Sequence, residues 1–445
     1  MLNKSGNACD MLKKHIENGD VIRLISHNDA DGISAAGVIA NAIHEEGGQF
    51  HTTIVPRLKS DTVKDLAKEK YELFVFSDMG SACLEQINQS IKSDVIIADH
   101  HQPSDVEAND NVVHINPHLF GIDGSKDLSG AGASYLVVRD MDKKHLAYLA
   151  LVGAFGDMQC PDGFSGVNQM ILSDGLDSGN LEIHEDLKIV SKTQEPIYKS
   201  LAYTLNPALP GLTGNLEGAM GFLEKRGISY GIKFDELSDE ERDVLKDELI
   251  KLNPEIFGDV YTVPKENPVL RNLEEYSILL DSCGKNKKFG LGISIALGER
   301  DKALKAALNL QNNYRSELMK GMEWITREGS VPMDYIQYIY SDDKVLKSVM
   351  GTIASVGMSA KILPEDKPIL ALARLHNDIK ISGRTTRPMV NKGVDLGKAL
   401  QDASANFGGQ GGGHDIAAGA MIPFTAKDNF LLLVNDIIEH QLNNN

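Results

Sequence analysis

Four short stretches bring together residue types that could do chemistry. His27, Asp29 and Asp31 alternate along Ser-His-Asn-Asp-Ala-Asp-Gly. Alternate side chains of an extended chain share a face, so one imidazole and two carboxylates can aim at one point. Asp78 follows the apolar run 74–77, Asp99-His100-His101 follows 95–98, and Gly156-Asp157 ends the largely apolar stretch 149–155. A single aspartate in such a place is explained by a helix cap or a turn. Four segments that each end in Asp or His are not. Carboxylates gathered at one place repel unless a cation offsets their charge. Carboxylate and imidazole donors without a thiolate fit two hard or borderline divalent ions. Mn²⁺ suits the mixture best, and Mg²⁺ is possible though less inclined to take histidine. Paired ions of this kind are a general device for cleaving phosphoesters, because they activate water and stabilise charge on the phosphorus oxygens.

Such residues need elements to position them. The first 160 residues alternate strand-like runs (21–26, 52–56, 72–77, 94–98 and 112–115) with amphipathic stretches (33–46, 60–70 and 81–92). That alternation predicts βαβ units and a parallel sheet, with helices over 133–141 and 145–158 packed on it. The loops at the carboxyl ends of parallel strands are where α/β folds place ligands.

Residues 181–329 read as largely helical. Ser238 caps an amphipathic helix within 234–252, and 301–328 has the spacing of one long connecting helix. No catalytic constellation stands out there. From 331 the pattern predicts a second, smaller α/β unit: a strand at 335–340, a helix at 345–358 and a hairpin over 369–375 and 378–382. A helix at 396–407, a strand at 417–422 and a closing helix at 427–442 follow. Between the last helix-strand pair, residues 408–413 hold five glycines in six positions. Glycines bury no side chain and cost order on folding, so this run reads as a bare backbone needed for function. Exposed N–H groups of Gly409, Gly411, Gly412 and Gly413 would form a concave anion site, with His414 as a further donor. Arg384 and Arg387 offer bidentate phosphate donors.

Composition sets outer limits. A chain of 445 residues is too long for one compact core. No apolar run approaches the roughly 20 residues of a membrane helix, and the first residues lack the apolar core of a signal peptide. Cys9, Cys83, Cys160 and Cys283 are scattered, which predicts neither a zinc ribbon nor a disulfide framework and points to the cytoplasm. The net charge of −18 argues against a protein that coats nucleic acid through a broad basic surface. Residues 1–180 hold 26 acids against 14 bases, whereas 330–445 hold 12 against 11. The acid is concentrated beside the first motif, as bound cations would allow.

In order, His27-x-Asp29-x-Asp31, Asp78, Asp99-His100-His101 and Gly156-Asp157 resemble the four motifs of the DHH phosphoesterase family. Ser-Gly-Arg384 and the Gly-Gly…His414 run resemble the family's DHHA1 substrate-binding domain. The Asp-Ala-Asp-Gly-Ile core is similar to the RecJ branch, with His27 where bacterial RecJ has aspartate, as in archaeal RecJ-like proteins. The resemblance implies a DHH domain (1–180), a helical insertion and connecting helix (181–329) and a DHHA1 domain (330–445), with the active site in the cleft between the two conserved domains. It puts His27, Asp29 and Asp78 on one metal and Asp31, Asp78, His100 and Asp157 on the other. His101 would then face the scissile phosphate, oriented by Asp99. The activity implied is exonucleolytic release of mononucleotides from single-stranded DNA or RNA. An oligoribonuclease (nano-RNase) or a cyclic-dinucleotide phosphodiesterase is the alternative. A non-enzymatic replication scaffold is a further relative, though no ligand is missing here. The insertion could serve a replication-complex partner such as GINS.

Overall fold

The computed structural model describes residues 1–342 and 345–443. They divide into two compact units, the first made of 1–186 and 259–311, the second of 187–258 and 312–445. No helix among the described residues is long and apolar enough to cross a membrane.

The first unit is built on a five-stranded sheet of β1 (Val21–His27), β2 (Gln49–Val55), β3 (Leu73–Ser77), β4 (Asp94–Ala98) and β5 (Val112–Ile115). The spatial order is β2-β1-β3-β4-β5 and every pairing is parallel. All five residues of β3 are buried, the continuous apolar reading expected of a parallel strand covered on both faces. The chain leaves β1 toward β2 on one side and returns to place β3 on the other. Connections that depart in opposite directions open a crevice at the carboxyl ends of β1 and β3. His27 closes β1 and Asp78 follows β3, so the first two motifs flank that switch point.

The N-terminal helix Leu2–Glu17, α1 (Ala30–Glu45) and α2 (Gly130–Val138) pack on one face, and α3 (Ala147–Gly156) packs on α1 and α2. All of α2 and most of α1 and α3 are buried. The many alanines and glycines of α1, α2 and α3 let these three backbones crowd together, with α1 and α2 over Ile22, Leu24 and Val75. The helix expected at 133–141 starts earlier, because Ser129 caps it by accepting the Gly132 N–H at 3.1 Å.

The expected insertion over 181–329 is not one body. Residues 187–258 pack with the second unit, and 259–311 return to the first. The reason lies in α4 (Leu273–Lys285), whose Leu273, Tyr276, Leu279, Leu280 and Cys283 recur at helical spacing. They join the same core as Ile33 and Leu149. At its end Gly284 meets the backbone carbonyl of Asn28, in a gap that leaves no room for a side chain. A segment with no catalytic residue of its own therefore props the first motif.

The second unit has a six-stranded mixed sheet: β6 (Val331–Pro332), β7 (Gln337–Tyr340), β8 (Ile369–Leu375), β9 (Asp378–Arg384), β10 (Gln410–Gly413) and β11 (Ala417–Pro423). The order is β10-β11-β9-β8-β7-β6, with only β7 and β8 parallel. The helix expected at 345–358 forms as α5 (Met350–Ser359).

The glycine run departs from the expectation of a bare anion-binding loop, since Gln410–Gly413 is an edge strand. Helix α6 (Leu396–Ala405) lies directly on it. A Cβ on Gly411 would collide with the Leu400 carbonyl, one on Gly397 with the Gly413 carbonyl, and one on Gly409 with the Met421 carbonyl. Close packing therefore accounts for most of these glycines. Gly412, at φ 151°, has open space where its side chain would be.

Gly284→Ala drives a methyl group into the Asn28 backbone. It should cost about 1–3 kcal/mol of stability, the usual penalty of overpacking, and weaken divalent-ion binding by displacing the loop from His27 to Asp29. Urea unfolding and Mn²⁺ titration check both. Wild-type values in both would mean that α4 does not brace the motif.

Candidate metal centre

His27 is tied at both ends of its ring. Nε2 lies 3.1 Å from the Pro56 carbonyl, and Nδ1 lies 2.7 Å from Asp29 Oδ2 and 3.6 Å from Asp78 Oδ2. A carbonyl only accepts, so Nε2 carries the hydrogen and Nδ1 is left to face the carboxylates. Asp29 has two tasks: Oδ1 caps α1 by accepting the Gly32 N–H at 2.9 Å, and Oδ2 faces His27.

His100 repeats the arrangement. Its Nδ1–H donates to the Gly124 carbonyl at 2.6 Å. Its Nε2 faces three carboxylates, 3.0 Å from Asp157 Oδ2, 3.3 Å from Asp78 Oδ1 and 3.7 Å from Asp31 Oδ2. An imidazole held by one nitrogen with the other aimed at a shared point is the usual arrangement of a metal-ligating histidine.

Asp78 is the common member. It sits in the left-handed region at φ 56°, its N–H bonded to the Ala98 carbonyl at 2.8 Å. Both carboxylate oxygens are buried and make no hydrogen bond; their neighbours stand at ion-pair distances. A buried anion left so needs a positive partner. Asp31, also buried, accepts the N–H groups of Gly130 at 2.6 Å and Ala131 at 2.9 Å. These open α2, so the helix dipole adds to the hydrogen bonds. Side-chain carbons on Gly130 and Gly153 would overlap Asp78 and Asp31.

Asp99 organises the loop. Oδ1 accepts from the His100 N–H at 2.8 Å, the His101 N–H at 3.1 Å and His101 Nδ1 at 2.8 Å, while Oδ2 accepts the Ser81 N–H at 2.9 Å. Burial would raise its carboxyl, but His101 and these donors hold it well below the usual range. His101 is half-exposed, with Nδ1 committed to Asp99 and Nε2 left over.

Behind this loop stands a buried relay that sequence reading missed. The Asn116 amide donates to the His101 carbonyl and to Ser81 Oγ, both at 2.8 Å, and Ser81 Oγ lies 2.8 Å from His114 Nε2. Burial pushes His114 down to about 4, so the ring stays neutral and accepts the Ser81 hydroxyl. Also missed were the Gly124 and Pro56 carbonyls and the Ser129-Gly-Ala start of α2. Only the last had a local signal, a serine before small residues at a helix start.

Three sets of donor atoms lie within 4.8 Å of one another: His27, Asp29, Asp78; Asp31, His100, Asp157; and Asp78, His100, His101. The first two gather the residues expected for two ions, with Asp78 beside His100 as well. The third depends on a His101 nitrogen already bound to Asp99. Burial, then the charges of Asp78 and Asp157, push Asp31 well above the usual carboxylate range, and burial raises Asp157. Burial opposes charging of His27, yet Asp29 and Asp78 push it up to about 11; burial likewise opposes charging of His100, but Asp157 and Asp78 hold it well above the usual imidazole range. Without cations the cluster thus holds protons in their place. The unbonded Asp78 oxygens and the two tied imidazoles fit divalent ions.

The phosphate donors expected in the second unit differ among themselves. The Arg384 guanidinium is largely buried, and burial lowers its pKa. It donates to the Gly383 carbonyl at 2.8 Å and has no carboxylate partner among the described residues, a state that suits an anionic ligand. Arg387 is exposed and 3.4 Å from Asp415. His414 is exposed beside Gly413.

Ion uptake must displace these protons. Calorimetry near pH 7 in buffers of different ionisation enthalpy should show about one or more protons released per Mn²⁺, with affinity rising with pH. Buffer-independent heats would contradict it. His114 gives an opposite check on stability. Its folded pKa lies below the unfolded value of 6.5, so its contribution is complete above 6.5 and is lost as pH falls towards 4. His114→Gln should lose less stability than wild type between pH 7.5 and 5 in urea titrations; identical losses would exclude the ring.

Similarities to known proteins fall in the same segments. Family models match in three places: the DHH family N-terminal domain over 21–154, the DHH-CID domain over 189–255 and the DHHA1 domain over 336–440. An uncharacterized protein of Methanocaldococcus jannaschii is 34% identical over 95% of this chain and 94% of its own length. The single-stranded-DNA-specific exonuclease RecJ of Thermus thermophilus is 24% identical over 38% of this chain but only 27% of that protein. Its crystal structure with Mn²⁺ superposes over 98% of this chain and 55% of RecJ, at a TM-score of 0.60 and 16% identity. CDC45 from Entamoeba histolytica gives a TM-score of 0.73 at 11% identity, over 98% and 99% of the two chains. At such identities the structures speak for a shared fold. Motif order, domain matches and fold agree, and the chain belongs to the DHH/DHHA1 phosphoesterase family.

Proposed function

We propose that this protein is a metal-dependent phosphodiester hydrolase, a RecJ-like exonuclease that releases mononucleotides from single-stranded DNA or RNA. The observation that carries the reading is the pair of imidazoles, His27 and His100, each tied to a backbone carbonyl and facing the buried, unbonded carboxylate of Asp78. That is a prepared metal centre, and its imidazole and carboxylate donors favour Mn²⁺ over Mg²⁺. When bound, two divalent ions supply an activated water and charge stabilisation at the phosphoryl oxygens. His27, Asp29 and Asp78 would hold one, and Asp31, Asp78, His100 and Asp157 the other.

The remaining steps belong to the chain itself. Asp99 accepts from His101 Nδ1 and raises the ring's pKa, so the protonated imidazole can donate from Nε2 to a phosphate oxygen. The Asn116 relay keeps the His101 backbone in place. Arg384 is suited to give a charged hydrogen bond to a substrate phosphate, and Gly412 offers an uncrowded backbone position near His414. An acidic chain has no broad basic surface to hold a duplex, which favours short contact with a single strand.

End-labelled single-stranded DNA and RNA of several lengths, incubated with Mn²⁺, should shorten stepwise to mononucleotides. Asp78→Ala should lower the rate at least about a thousandfold, because activation and charge stabilisation fail together. Cleavage of a circular single strand would exclude an exonuclease. Activity confined to dinucleotides or cyclic dinucleotides would move the assignment to a small-substrate phosphodiesterase.

A further inference from the structure

Helix α4 ends in a turn that the metal chemistry does not use. The N–H groups of Asn286, Lys287 and Lys288 close back on the carbonyls of Ser282 (3.2 Å), Gly284 (2.9 Å) and Cys283 (2.8 Å). This is a helix stop whose left-handed position normally takes glycine. Here that position is Lys287, at φ 57°, where a side chain crowds the backbone and costs energy. Lys285, Asn286, Lys287 and Lys288 are all exposed. Lys285 is paired with Asp281, whereas Lys287 and Lys288 have no ion-pair partner among the described residues.

The turn is not at an arbitrary place. Gly284, whose carbonyl holds the Lys287 N–H, abuts the Asn28 carbonyl. Asn28 lies between His27 and Asp29, both in the first donor set. Two uncompensated cations are thus mounted one turn from the metal-binding loop, in a chain of net charge −18. A helix C-terminus favours cations, which accounts for Lys285. It does not account for lysine where glycine would make the better stop.

We propose that Lys287 and Lys288 form a docking strip for the backbone phosphates of a single-stranded nucleic acid, next to the nucleotide held at the metal centre. The proposal rests on the exonuclease reading and adds the surface that follows the strand outward. Lysine suits this task, as a mobile point charge that meets successive phosphates without reading a base.

The test compares wild type with K287E/K288E and K287G. Rates are measured on a strand of about twelve nucleotides and on a dinucleotide, and affinity for the labelled strand by anisotropy without metal. K287E/K288E should lower kcat/KM on the longer strand roughly tenfold and flatten the log-affinity slope against log salt by about 0.7 for each phosphate no longer neutralised. The dinucleotide should react within about twofold of wild type, being too short to reach the strip. K287G should bind the strand more weakly while melting at a higher temperature, since glycine relieves the left-handed strain. Unchanged strand binding in both variants overturns the proposal, as does an equal fall on both substrates, which would put the lysines in the centre or the fold. If wild type cleaves neither substrate, the exonuclease reading fails. Anisotropy then judges the strip alone: weaker strand binding by both variants upholds it, and equal binding removes it.

Discussion

The carboxylate of Asp78 is buried with neither oxygen hydrogen-bonded, and much of the first unit can be understood as what is needed to tolerate it. A lone buried anion would take up a proton or unfold its surroundings. Here it stands at the switch point of a parallel sheet, where β1 and β3 deliver one donor set and β4 and α3 another. Crowding so many acids at one point has a steric price as well as an electrical one. Gly32, Gly130 and Gly153 each lie where a side chain would strike a ligand residue or its backbone. The small residues of this unit are thus distributed by the needs of the centre as much as by helix packing.

Orientation is supplied by groups without charge. Backbone carbonyls of Pro56 and Gly124 fix the two imidazoles, and the N–H groups of Gly130 and Ala131 fix Asp31. Neutral partners add no further charge to a cluster already crowded with it. The same economy governs the Asp99 loop, where Asn116, Ser81 and a neutral His114 satisfy one another. Each donor there has one acceptor, so the loop has few alternative arrangements.

Sequence made the candidate donor residues legible because each lies at the end of an apolar segment whose period announces a strand or helix. His27, Asp78, His100 and Asp157 could be placed without knowing what packs on what. Their supports could not. Pro56, Gly124 and Asn116 act through backbone groups or contacts distant in sequence, which leave no local pattern. The return of 259–311 to the first unit was hidden for the same reason: Tyr276 and Leu280 mark an apolar helix face but not the surface it covers. The glycines at 409–413 show the converse ambiguity. A glycine reports that a side chain would not fit, without saying whether a ligand or a neighbouring backbone fills the space. For Gly411 it is the carbonyl of Leu400.

An acidic centre that must receive an anionic substrate faces a conflict, and charge placement bears on it. The first 180 residues carry 26 acids against 14 bases, and the buried ones repel phosphate unless cations neutralise them. Attraction therefore has to come from the ions and from a few basic groups not neutralised by the chain's own carboxylates. The exposed lysines and arginines of the first unit include many paired to nearby acids, as Lys285 is to Asp281 and Lys68 to Asp65, and such pairs have little field left at a distance. Attraction built this way is local: it depends on the group that reaches the ions and on the few charges beside it. Long-range steering by the protein's overall charge would oppose binding.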